Sequence, residues 1–187
     1  MNLLYPRIAL RHLPLMLGIS LVGSLIAGAY GILHDQVTYT LSEEYFTKFK
    51  SQQFHWADFG WPRRVYVAEI GFLATWWVGL VAGWFLARIT VPHLNRDAAI
   101  RRCAVGFAIV FALAVAGGLV GAWLGWRRMQ DADLGGWTDY TLLYGVKDLP
   151  SFVRVGFIHN SSYAGGLVGL IVALIHARGR RRNDREQ

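Results

Sequence analysis

Four apolar runs, each about as long as a bilayer is thick, constrain this chain more than any other feature. They cover roughly residues 13–33, 65–87, 103–126 and 152–175. A hydrocarbon core of roughly 30 Å takes about twenty residues of helix to cross, and inside lipid a helix satisfies its own backbone groups. The expectation is an all-α, integral membrane four-helix bundle, forming one domain over residues 1–187. The lipid bilayer is its first partner, with a second membrane protein or a further copy of the chain as additional partners.

Arginine sets the expected orientation. Arg7 and Arg11 precede the first run, Arg88, Arg96, Arg101 and Arg102 separate the second from the third, and Arg178, Arg180, Arg181, Arg182 and Arg185 follow the fourth. Against Asp97, Asp184 and Glu186, that side carries about +8, and the other side about −1. The positive-inside rule then places both termini in the cytoplasm of a bacterium, with the chain in its inner membrane. The basic tail reads as a solvated or headgroup-binding segment, and no nucleic-acid partner is expected. Ala27-Gly28-Ala29 resembles a signal cleavage site, but the apolar run continues past it, so the first run reads as a retained helix. The single cysteine, Cys103, offers no disulfide framework.

The segments joining runs one to two and three to four are longer than the one between runs two and three. In the first, Thr40-Leu41-Ser42-Glu43 fits a capping box. Tyr45, Phe46, Phe49 and Trp56 recur at spacings that share a helical face. This predicts a short amphipathic helix on the outer face between the first two spans, lying as an anchor or folded over the bundle as a lid. The second long segment, with Gly135-Gly136-Trp137 and Leu149-Pro150, reads as irregular. Thr75-Trp76-Trp77 falls mid-span, where Trp suggests packing into the bundle or the wall of a cofactor site. Small residues four apart, such as Gly79 and Gly83 or Gly117 and Gly121, predict close helix contact.

Ionisable groups at membrane depth are costly and point to a site. His34 and Asp35 follow the first run, Glu44 comes nine residues later, and His159 lies inside the fourth run. Tyr30 precedes His34 by one helical turn and Tyr163 follows His159 by one, so the two pairs match in depth when the helices run in opposite directions. Two imidazoles with Asp35 and Glu44 form a donor set suited to zinc, iron, manganese or copper. Tyr30, Tyr163, Asn160, Ser161 and Ser162 are the expected hydrogen-bonding surround. A second reading makes the same cluster a structural polar network in a non-enzymatic accessory subunit or small transporter. A third uses His34 and His159 as haem ligands, which the neighbouring acids disfavour. Glu69, within the second run, is expected to pair with Arg154. His55 reads as a surface residue.

Tyr30-Gly31-Ile32-Leu33-His34-Asp35-Gln36-Val37-Thr38, Glu44-Tyr45-Phe46-Thr47 and Ala74-Thr75-Trp76-Trp77-Val78-Gly79 together resemble a family of small bacterial integral membrane proteins. The likeness covers the first two spans, and in the fourth it rests on His159, Tyr163 and a following glycine. It implies that His34, Asp35, Glu44 and His159 belong to a shared pattern from which Glu69 is absent. The resemblance brings no activity with it.

Overall fold

The computed structural model describes residues 8–130 and 134–183, with side chains as far as Arg178. Among these residues the chain is helical, with no strand. Four helices are long and apolar enough to cross a membrane: α1 (Leu13–Leu41), α3 (Arg63–Thr90), α4 (Arg96–Gln130) and α6 (Leu149–Asn183). Short helices α2 (Ser51–Gln53) and α5 (Asp139–Tyr144) lie in the two long connections. Arg7 and the side chains beyond Arg178, which enter the charge argument, lie outside the described residues, as do residues 131–133.

The four helices form two antiparallel pairs, α1 with α3 and α4 with α6. Gly31 faces Gly71 and Gly23 faces Gly79, so α1 and α3 run past each other in opposite directions at backbone contact. A Cβ at Gly31 would overlap the Gly71 carbonyl oxygen. Thr75 bridges the same seam, its hydroxyl donating to the Ala27 carbonyl at 2.8 Å. Gly117 and Gly121 set α4 equally close to α6, against Ser161 and Phe157. Small side chains let backbones approach where lipid supplies no hydrophobic drive for helix pairing.

Two buried clusters join the pairs. One, near the start of α1, packs Met16, Ile19, Leu86, Cys103 and Ala173. The other, at the opposite end, packs Tyr39, Tyr45, Phe46, Val67, Phe152 and Val155. This second end carries the site.

Several expectations are corrected here. Helix α1 runs past the end of the apolar run to Leu41 and carries both His34 and Asp35. Thr40 is therefore helical and donates back to the Val37 carbonyl, and there is no capping box. The outer segment is helical as expected, but residues Tyr45–Lys50 form a π-helical stretch that leads into α2. Tyr45 and Phe46 face inward, whereas Trp56 is 62% exposed and does not share their face. The second connection is not irregular: α5 ends at Gly145 in the left-handed conformation, and Tyr140 and Tyr144 pack their rings against Phe49. Trp76 and Trp77 point away from the bundle, with Trp77 53% exposed, and Thr75 takes the inward position.

Candidate metal centre

Helix α1 places Tyr30, His34 and Thr38 at successive turns, all reaching the seam with α6 on which His159 lies. The imidazoles of His34 and His159 meet edge to face, with ring centroids 4.7 Å apart. Asp35 Oδ1 is 3.8 Å from His159 Nε2. One ligand atom from each of His34, Asp35 and His159 lies within 4.8 Å of the others. Metal bonds of about 2.0–2.2 Å place ligand atoms up to about 4 Å apart, so small side-chain rotations would bring these three onto one ion.

The surround holds two of the rings. The Tyr30 hydroxyl is 3.3 Å from His34 Nδ1, and Thr38 Oγ1 is 3.3 Å from His159 Nε2. The partner each ring nitrogen keeps decides which nitrogen is left to bind. Even so, His34 Nε2, Asp35 Oδ2 and His159 Nδ1 are all buried without a hydrogen-bond partner. A buried polar atom left so costs about 1–3 kcal/mol. Three of them in adjoining residues make the cluster expensive as a purely structural device.

Above the site the π-helical stretch forms a roof. Tyr45 stacks on His159 at 4.9 Å, and Phe46 also contacts that ring. A π-helix bonds residue i to residue i+5 and winds more widely than an α-helix, so Lys50 comes round towards the side of Tyr45, and both are buried. Burial holds the Lys50 ammonium below the usual lysine range, with the Asp35 carboxylate opposing that shift. Burial likewise pushes the Tyr45 phenol well above its ordinary value, so it stays neutral.

Glu44 does not join the cluster. Its carboxylate accepts the backbone N–H groups of Lys147 at 2.9 Å and Asp148 at 2.7 Å, just ahead of α6, and pairs with Lys48. Lys48 also donates to the Gly145 carbonyl. Glu44 thus ties the roof to the α5–α6 connection. Burial pushes its pKa up, but Lys48 and the two N–H donors together outweigh this and hold the carboxyl below its usual range.

Asn160 is exposed and turned away from the cluster, so it is no part of the surround. Tyr163 lies with its ring centroid 6.3 Å from that of His159 and is 45% exposed. Ser162 is buried beside Gly118. The Glu69–Arg154 pair is not formed: Glu69 Oε2 and Arg154 Nε are each buried without a hydrogen-bond partner. His55 lies at the surface, its ring against the Gln52 carbonyl. Thr38, Tyr45 and Lys50 are site residues that the sequence reading passed over.

The fold and the cluster define a class: an all-helical protein with four membrane-length helices and a His–Asp–His grouping near one end. No family model, curated protein or solved structure matches the chain.

Proposed function

We propose that this chain is a bacterial inner-membrane protein that binds a divalent transition metal through His34, Asp35 and His159. The site lies at the outer face, with both termini cytoplasmic. The observation that carries the reading is the set of three buried, unpartnered donor atoms, one on each of three adjoining residues that suit a metal. Binding would offset their burial cost, and the roof would keep water from competing for them. Zinc, iron, manganese and copper all accept two imidazoles and a carboxylate. The orientation is supported by the excess of Arg on the terminal side.

Three protein ligands leave a coordination position open, as in metal sites that act on a bound molecule. The competing reading is an accessory subunit or small transporter whose polar cluster only fixes helix register.

The test is the metal content of protein purified in detergent from cells grown in ordinary medium. The expected result is close to one metal per chain, lost in His34→Ala and in His159→Ala and kept in His55→Ala. The same trace metal in wild type and in both site variants would leave the structural-network reading in place.

A further inference from the structure

The donor atoms of the cluster are closed off from water. Asp35, His159, Tyr45 and Phe46 are buried, and so are the unpartnered atoms of His34, Asp35 and His159. An ion can enter or leave only when some element moves. A hydrated cation does not cross hydrocarbon, so the sides of the bundle that face lipid offer it no route. From the opposite end the way is filled by Met16, Ile19 and Leu86. The long helices are held at backbone contact, Gly31 against Gly71 and Gly117 and Gly121 against Ser161 and Phe157.

The roof is held differently. Residues 43–53 are helical and are bounded by two residues that are not: Ser42, extended at φ −151° and ψ 104°, and Phe54, at φ −116° and ψ 21°. Hinges are a few such positions at the ends of elements, where the backbone absorbs the movement. Beyond Phe54 the chain is anchored again, since the Tyr66 hydroxyl of α3 donates to the Phe54 carbonyl at 3.0 Å. Between the two joints, the polar hold of the roof on another element comes, among the described residues, from Glu44 and Lys48. Both grip one turn, residues 145–148: Glu44 accepts the N–H groups of Lys147 and Asp148, and Lys48 donates to the Gly145 carbonyl. Glu44 and Lys48 are themselves paired at 2.5 Å and are reached by solvent. Beneath this latch the contacts are between rings, Tyr45 on His159 and Phe49 on Phe152. Opening exposes those rings, so the open form is rare.

We infer that residues 43–53 are the gate of the site: they swing about Ser42 and Phe54 to admit an ion from the water at the roofed end, and the Glu44–Lys48 latch sets how often they open. What passes rests on the metal reading; the passage rests on the burial, the two joints and the latch. Glu44 lies outside the three-residue group, so losing the latch weakens the closed form equally with and without an ion. Entry and exit then quicken by the same factor, and affinity does not change.

The experiment uses the full chain in phosphatidylcholine nanodiscs, as wild type, Glu44→Ala and Lys48→Met. Zinc association is followed with a fluorescent zinc indicator and dissociation with excess chelator. Both rates should rise about fivefold in Glu44→Ala, the factor that roughly 1 kcal/mol represents, with zinc affinity as in wild type. Lys48→Met, which loosens the same latch from its other half, should move both rates in the same direction. Access is also read without metal, as the rate at which diethyl pyrocarbonate modifies His159 in chelator-treated protein, mapped by mass spectrometry. His159 should react about fivefold faster in Glu44→Ala, while His55, exposed in either form, reacts at the same rate.

Equal modification of His159 in wild type and both variants overturns the inference whether or not metal is bound. Zinc rates left unchanged in protein that binds zinc overturn it too, as does an altered affinity with an unchanged association rate. Faster modification of His159 in protein that holds no zinc supports the gate and overturns the metal reading alone.

Discussion

Asp35 is the residue at which the two accounts of the cluster part most sharply. Asp35→Asn keeps the shape and an oxygen acceptor but removes the charge that would oppose a divalent ion. We expect metal affinity, measured by chelator competition, to fall at least as far as in Thr38→Val or Tyr30→Phe. Those two remove hydrogen bonds to the ligating rings and should cost about 10–100-fold. Unchanged affinity in all three would mean the ion binds elsewhere. His34, Asp35 and His159 were legible in the sequence because burying such groups is expensive and helices of opposite direction matched their depths. Asn160 is adjacent to His159, and neighbours on a helix point to different faces, so its exposure follows from spacing alone. Glu44 was misjudged because its partners are backbone N–H groups a hundred residues away, which no pattern of side chains announces. Lys50 was missed because α-helical spacing turns it away from Tyr45, and only the π-helical stretch brings both inward.

The roof is the element whose behaviour depends most on pH. The Glu44 carboxyl is held below its usual range, so the clamp on Lys147 and Asp148 is complete above the ordinary carboxylate pKa. It is lost as pH falls through the lowered folded-state value. Glu44 is only partly buried, and solvent screening limits the clamp to roughly 1 kcal/mol. Amide exchange at Lys147 and Asp148 should therefore quicken about fivefold in Glu44→Ala at neutral pH, and wild type should approach that rate in acid. Equal protection in wild type and variant would remove the clamp from the account.

The helix seams make a second prediction at this scale. Gly31→Val and Gly121→Val force side chains into backbone contacts, at about 1–3 kcal/mol or more each. Gly18→Val meets nothing within 4 Å of its Cβ. Melting in detergent should drop for the first two and stay near wild type for the third. Glycine spacing had announced close contact but not partners. That α1 pairs with α3 and α4 with α6 depends on which small residues meet, and small residues four apart occur on every long helix, as Ala27 and Gly31 do on α1.

At the scale of the whole molecule, four membrane-length helices were legible from hydropathy alone, since length and polarity are set by the bilayer rather than by tertiary detail. Their ends were not, because α1 and α6 project beyond the apolar runs to build the roofed end. The arginine asymmetry predicts that a reporter fused after Gln187 is active only in the cytoplasm. Activity of that fusion in the periplasm would reverse the orientation and place the site at the inner face. The central claim concerns the coordination itself, and X-ray absorption at the edge of the bound metal tests it most directly. The account predicts only nitrogen and oxygen neighbours at about 2.0–2.2 Å, with the multiple scattering of two imidazoles that is reduced in His34→Ala and in His159→Ala. Sulfur neighbours, or imidazole scattering unchanged by both substitutions, would contradict it.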